Sequence, residues 1–294
     1  MARYYVLDVF TDTAFAGNAL AVVMDAAGMS DTRIQAVARE FNLSETVFVE
    51  PAASEGHRAA IRIFTPVHEL PFAGHPTVGT AVLLALLDKE EDGEEDRLIV
   101  LEEKVGPVRV GVRLGENSAY AEFDIPKLPE AIDFRDDRSA LASAVGLMPN
   151  EIGFENHRPS AFSAGVPYVF IPVRDVEALA RSTPVVALFR STFPGKPGVY
   201  AYTRTGDGYA ARMFDPLAGI VEDPATGSAA AGFAGVIRRF DALKDGSHEV
   251  IVHQGREMGR PSRIDLELTL EAGALKRVRV GGEAVLVARG ELLD

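Results

Sequence analysis

Residues 69–81 read ELPFAGHPTVGTA, and residues 222–229 read EDPATGSA. Each places one ionisable residue directly before a proline, His75 in the first and Asp223 in the second. A run of small residues then leads into an apolar helix pattern. Proline is favoured at the first helical position because its missing N–H would have had no partner there. The spacing therefore predicts helix starts at Pro76 and Pro224, with His75 and Asp223 at the N-caps. The residues upstream repeat as well: RIFTP at 62–66 stands against RMFDP at 212–216, in the same order and at nearly the same separation. Two matched pairs in one order predict an internal duplication and two similar domains.

The two helices, VGTAVLLALL and GSAAAGFAGVI, have almost no polar face. A helix that is apolar all round is a buried one. Each domain is therefore expected to wrap strands around a central helix, the first running from Pro76 to about Leu87 and the second from Pro224 to about Arg239. Strand patterns outnumber helices. YYVLDVF and ALAVVMD read as a strand pair, and RAAIRIF, RLIVLEE, PVRVGVRL and SAYAEFDI follow in the first half. The second half offers AFSAGVPYVFIPV, GVYAYTR, GYAARMF, EVIVHQG, RIDLELTL, KRVRV and EAVLVARG. Their spacing is too short for a steady βαβ alternation, which disfavours a doubly wound parallel sheet. The fold class is α/β of the α+β kind, with two pseudo-symmetric domains of mostly antiparallel, curled sheet. The Pro-rich, charged stretch PKLPEAIDFRDDR marks the boundary. It gives domains of 1–127 and 128–294, with a strand within 280–294 available to join the first. Ser30 or Asp31 caps a short amphipathic helix with Ile34, Val37 and Phe41 on one face. The acidic run at 88–96 reads as a solvated loop.

Composition narrows the functional classes. The chain has 294 residues, 47% of them hydrophobic and 25% charged, in the range of a soluble globular enzyme. A formal net charge of -13 disfavours binding along a nucleic-acid backbone, which needs a basic face. A small-molecule partner is expected, with no nucleic acid and no membrane. No cysteine is present, which removes disulfides, thiolate metal sites and thiol catalysis. With neither a signal-peptide pattern nor a long apolar span in the sequence, a cytoplasmic location is expected.

Small residues after each proline leave the first-turn N–H groups uncovered, and such a helix start holds a carboxylate or enolate-like oxygen. Two of them facing one cleft would grip a single anionic substrate. Asp223 also reads as a plain N-cap, worth about 1 kcal/mol and no chemistry. Histidine is not a preferred cap, which gives His75 the stronger functional reading. Glu45, in FNLSETVFVEP, stands where a helix ends and an apolar strand begins, flanked by Leu43, Val47 and Phe48. Desolvation there is expected to raise its pKa toward the range of a general acid/base, with the Ser44 or Thr46 hydroxyl steadying it. Its other reading is an exposed glutamate at a strand start. HELPFAGH lacks zinc-binding spacing, and its prolines forbid the continuous helix that motif needs, so no metal is expected. There is no phosphate loop, no dinucleotide-binding fingerprint and no serine-hydrolase elbow, so no cofactor is expected.

NLSETVFV, RIFTPVHELPFAGHPTVGTA, EDPATGSA and HQGREMGRPSRI, in this order, resemble the PhzF-like isomerase family of phenazine biosynthesis. The resemblance spans nearly the whole chain, from LDVFTDTAFAGNALAVV to VGGEAVLVARG. It implies a diaminopimelate epimerase-like fold, each domain a curled sheet or barrel around a central helix, with the active site in the cleft between them. It also implies a homodimer. Epimerases and racemases of that fold use two opposed cysteines, and this chain has none, which excludes a two-thiol racemase. The resemblance implies Glu45 as the single acid/base, removing a proton from one carbon and returning it to another, as in isomerisation of a dihydro-hydroxyanthranilate. His75 and Asp223 fall at substrate-contacting positions, with Gly74, Gly227 and Ser228 beside them and Ser44 next to Glu45. Two other readings stay open: an epimerase or tautomerase with His75 or Asp223 as a second base, and a small-molecule-binding protein without turnover.

Overall fold

The structure is a computed structural model and describes residues 2–89, 96–116, 118–195 and 197–293; the acidic run falls outside it from 90 to 95. The chain divides into two units, Met1–Pro126 with Gly281–Asp294, and Lys127–Val280. Among the described residues, no helix is long and apolar enough to cross a membrane.

The first unit contains β1 (Ala2–Val9), β2 (Asn18–Val23), α1 (Asp31–Phe41), β3 (Glu45–Glu50), β4 (Ala59–Phe64), β5 (Glu69–Leu70), α2 (Gly74–Leu87), β6 (Asp96–Glu103), β7 (Gly106–Leu114) and β8 (Ala119–Asp124). Burial alternates along β6, β7 and β8, whereas β2 and β3 are buried on both faces. On β7, Val108, Val110, Val112 and Leu114 are buried while Arg109 and Arg113 face water. The strands curl around α2, which packs against β1, β2, β3, β6, β7 and β8 and is buried from Gly74 through Ala85. At Gly79 a Cβ would fall 2.6 Å from Leu20 and 2.7 Å from Val9, so glycine is what lets the helix lie this close to the sheet. Ser30 is the N-cap of α1, its hydroxyl accepting from the Arg33 N–H at 3.3 Å, and Asn42 ends the helix in the left-handed conformation.

The second unit contains β9 (Glu130–Ala131), α3 (Arg138–Ala144), β10 (Ser160–Ser163), β11 (Pro167–Pro172), α4 (Val176–Arg181), α5 (Val186–Thr192), β12 (Gly198–Arg204), β13 (Gly208–Asp215), β14 (Ile220–Asp223), α6 (Gly227–Phe240), β15 (Gly246–Gln254) and β16 (Ser262–Glu271). The final strand, β17 (Ala274–Leu292), begins in this unit, and from Gly281 its residues belong to the first. There it pairs antiparallel with β1, Ala284 opposite Val9 and Leu292 opposite Ala2. KRVRV and EAVLVARG are thus one continuous strand, whereas AFSAGVPYVFIPV is two, hinged at Gly165. α6 packs against β9, β10, β11 and β16. Its Phe233 sits edge-on to Tyr202 and Tyr209, with ring centroids 4.7 and 4.9 Å away.

Both units repeat one pairing grammar. In the first, β1–β2 is antiparallel, β2–β3 parallel, β3–β4 and β4–β5 antiparallel, β4–β6 parallel and β6–β7 antiparallel. In the second, β10–β11, β11–β12, β12–β13, β13–β14, β13–β15 and β15–β16 follow the same sequence of orientations. A parallel pair needs a crossover connection, and helices supply it at equivalent places: α1 between β2 and β3, α4 and α5 between β11 and β12. The matched arginines repeat as well. Arg62 donates twice to Glu69 and lies over the Phe64 ring at 5.1 Å; Arg212 donates twice to Glu222 and lies over Phe214 at 5.1 Å. Each fork ties the strand carrying the arginine to the short strand that leads into the central helix.

Candidate functional site

Both helix starts differ from the positions the prolines predict. α2 begins at Gly74 with Ala73 as its N-cap, so His75 is the second helical residue and Pro76 the third. Proline is tolerated through the first turn because none of those N–H groups has an intrahelical partner. α6 begins at Gly227 with Thr226 as its N-cap, and Asp223 is instead the last residue of β14. The residue before a proline is pushed toward extended backbone, which keeps Asp223 in the strand and Pro224 in the connection. Neither His75 nor Asp223 is an N-cap.

In the first unit, α1 ends at Phe41 and β3 begins at Glu45, as its sequence predicts. Glu45 stands opposite Leu20 in the parallel β2–β3 pair, and its side chain is 14% exposed. The Thr46 hydroxyl is buried with no hydrogen-bond partner, so it does not steady the carboxylate. His75 Nδ1 lies 3.5 Å from Glu45 Oε2. Burial pushes the His75 imidazole down to about 3, so near neutral pH the ring is uncharged. The pair is therefore a neutral ring beside a carboxyl group, not an ion pair. His75 Nε2 is buried and unpartnered, a polar ring atom whose hydrogen-bonding capacity is unused within the protein. Gly74 and His75 bring backbone N–H groups to the same turn, and Ala73 offers no capping side chain.

A neutral buried histidine has a signed consequence. The folded state excludes a proton that the unfolded chain takes up near pH 6.5, so its stabilising contribution is present above 6.5 and is lost as pH falls toward about 3. Over that window the denaturant midpoint of the wild type is expected to fall more steeply than that of H75Q. Parallel curves would mean that His75 is charged in the folded protein.

In the second unit a buried network fixes the α6 start. The Thr226 hydroxyl donates to Asp223 Oδ2 at 2.6 Å, so it is committed and does not cap the helix. Gln254 Nε2 donates to the Asp223 carbonyl at 2.7 Å and to Thr226 Oγ1 at 3.0 Å, while Gln254 Oε1 accepts from Tyr200 Oη at 3.1 Å. Gly255 follows with φ +76°, and a Cβ there would fall 2.6 Å from the Pro224 carbonyl oxygen, so only glycine lets Gln254 approach this closely. Gly227 and Ser228 open the helix, with Ser228 Oγ 2.8 Å from Tyr168 Oη. The candidate residues thus gather into two groups, Glu45 with His75 and Gly74 in one unit, and Asp223 with Gly227 and Ser228 in the other. Gln254 and Tyr168 drew no role from sequence, and Thr226 only that of a small residue at the helix start. The one signal for Gln254 was its place in HQGREMG, next to the glycine its approach requires. Among the described residues, no group of three or more His, Cys, Asp or Glu side chains is placed to hold a metal ion.

Comparison with known proteins matches the chain along nearly its full length. The family model of phenazine biosynthesis-like proteins matches residues 7–290. An uncharacterized isomerase of Mesorhizobium japonicum is 50% identical, covering 99% of this chain and 98% of its own. The trans-2,3-dihydro-3-hydroxyanthranilate isomerase of Pseudomonas aeruginosa is 35% identical, covering 99% of both. Among solved structures, a PhzF-family phenazine biosynthesis protein of Bacillus anthracis superposes with a TM-score of 0.88 at 26% identity, covering 100% of this chain and 99% of its own. A probable proline racemase of Agrobacterium radiobacter, at 12% identity and a TM-score of 0.64 over 100% of this chain and 93% of its own, shares the fold alone. The fold is the mixed α/β one of the diaminopimelate epimerase-like proteins, and the chain belongs to the phenazine biosynthesis-like (PhzF) family as one of its isomerases.

Proposed function

We propose that this isomerase moves a proton between two carbons of a small carboxylated substrate without a cofactor, Glu45 acting as the single general acid/base. The observation that carries the reading is the contact of the Glu45 carboxyl group, 3.5 Å away, with a buried neutral imidazole whose other nitrogen is unpartnered. A carboxylate that takes a proton from one carbon and delivers it to the next needs the substrate held still. Backbone N–H donors at the α2 start supply that hold and stabilise the charge that develops as the proton leaves, while the neutral His75 ring, its one N–H turned to the Glu45 carboxylate, offers Nε2 as an acceptor. His75 serves as a hydrogen-bond partner: burial holds its ring neutral and lowers its basicity. Asp223, fixed by Thr226, contributes to substrate binding together with Gly227 and Ser228, and Ser44 flanks the base. D223N is expected to raise KM about tenfold with a smaller change in kcat, the pattern of lost ground-state binding.

Solvent-deuterium incorporation tests the reading. A panel of dihydroaromatic and amino-acid-like carboxylates, with trans-2,3-dihydro-3-hydroxyanthranilate among them, is incubated in heavy water with wild type and E45Q. Mass spectrometry and NMR then locate the label. Incorporation at carbon that is lost in E45Q is the expected result. Panel members that bind with no exchange at any carbon would replace it with a binding protein.

A further inference from the structure

β6 turns Ile99, Leu101 and Glu103 into the core of the first unit, so a carboxyl group ends an otherwise apolar row. Glu103 Oε1 lies 2.8 Å from Thr77 Oγ1, and Oε2 is buried with no hydrogen-bond partner. The same Thr77 oxygen lies 2.8 Å from the Ala73 carbonyl oxygen, which also accepts the Thr77 N–H at 3.2 Å. A threonine hydroxyl has one hydrogen, and a carbonyl only accepts. An ionised Glu103 would also only accept, leaving two acceptors for one hydrogen. A protonated Glu103 closes the count: its O–H donates to Thr77, and Thr77 donates to Ala73. The unpartnered Oε2 is then a neutral carbonyl oxygen, far less costly to bury than half of a carboxylate. Burial acts in the same direction, pushing the Glu103 carboxyl up to about 8.

The charged groups on the neighbouring elements are engaged elsewhere, face water, or lie at the far end of the strand. On α2 the only titratable residue is His75, which is neutral. On β4, Arg62 is bound by Glu69 and Asp31, and Arg109 and Arg113 on β7 face water. On β6 itself, Glu102 is held by the Ala53 and Ser54 N–H groups and His57, and Asp96 and Arg97 lie at the opposite end; beyond it, Lys104 pairs with Glu69.

We infer that Glu103 is a positioning residue for the reaction: it keeps its proton at neutral pH and, through Thr77, fixes the Ala73 carbonyl and so the turn that presents Gly74 and His75. The inference rests on the proposed role of that turn in binding substrate. Glu103 itself touches no substrate. When its proton leaves, the Thr77 hydrogen is drawn to the carboxylate, Ala73 loses its side-chain donor, and a negative charge appears behind the helix start that receives an anionic substrate. The loss therefore falls on binding, and KM rises at alkaline pH.

Two readouts test this in wild type and E103Q. In the first, the ¹⁵N signals of the His75 ring, identified by their absence in H75Q, are followed from pH 6 to 9.5 without substrate. Because His75 stays neutral over this range, a shift with a midpoint near pH 8 reports the proton on Glu103. In the second, kcat/KM on a substrate found by deuterium exchange is measured over the same range. The wild type is expected to show the midpoint near pH 8 and a fall of about tenfold in kcat/KM through KM as one stabilising contact is lost. E103Q, whose amide still donates to Thr77, is expected to be flat in both and within about threefold of wild type at pH 7. A flat wild-type His75 signal, or the same titration and alkaline fall in E103Q, would overturn the inference. Failure of the isomerase reading shows separately, as absence of exchange into any substrate, while the ring signals still report on Glu103.

Discussion

E45Q is expected to lower kcat by about 10³- to 10⁴-fold, the upper part of the range for one acid/base group, and to leave fold and substrate affinity in place. Glutamine keeps the length and shape of glutamate and can still contact His75, but it cannot take a proton from carbon. In a one-base route no second group stands in for the loss, because the same carboxylate both removes and returns the proton. E45D, whose carboxylate sits about 1 Å short of the reacting carbon, is expected to retain some turnover at a cost of about 10²-fold. Steady-state kinetics on the exchanging substrate, with circular dichroism to confirm folding, checks both variants. An E45Q enzyme within tenfold of wild type would remove Glu45 from the acid/base role.

R212A is expected to cost about 3–5 kcal/mol of stability, the usual penalty for breaking a buried ion pair from one side. Arg212 is 7% exposed. Its guanidinium donates to both Glu222 oxygens at 2.8 and 2.7 Å and to the carbonyls of Leu179, Ala180 and Ser182 at 3.2, 3.0 and 2.6 Å, closing the end of α4. Alanine leaves Glu222 and three carbonyls without that donor. The equivalent R62A is expected to cost only about 1 kcal/mol, because the Arg62 side chain is 24% exposed and Glu69, left behind, still pairs with Lys104 at 2.7 Å. Urea unfolding of the two variants checks the contrast, and equal losses would show that burial does not set the strength of these forks. Because Glu222 directly precedes Asp223, R212A is also expected to loosen the α6 entry and raise KM.

The duplication was legible because its signals are local: two prolines near the starts of two apolar helices, and two Arg-x-Phe strands. Runs rich in β-branched and aromatic residues located most of the sheet for the same reason. What the sequence left open depends on tertiary context. Proline restricts its own residue and the one before it, but not whether it stands first or third in a helix, so His75 was placed one position outside the helix that contains it. The break read between KRVRV and EAVLVARG followed Gly281 and Gly282, yet strand pairing carries β17 through both. α3, α4 and α5 are six or seven residues long, too short for a helical period to emerge. Their capping residues Asp137 and Asp175, which accept from Ala140 and Ala178, were the signal available. The helix-to-strand boundary and the motif resemblance both point to Glu45, and its placement beside His75 emerges only from the fold. Glu103, Gln254 and Tyr168 reach the helix starts from distant strands, and no spacing in the chain announces that.

The fate of the migrating hydrogen tests the central claim most directly. A substrate deuterated at the carbon that loses its hydrogen is converted in ordinary water, and the product is examined for label at the carbon that gains one. A single carboxylate predicts that part of the deuterium reappears there on the same face, and that E45Q abolishes the transfer. Complete replacement by solvent hydrogen on the opposite face would contradict it and require a second base.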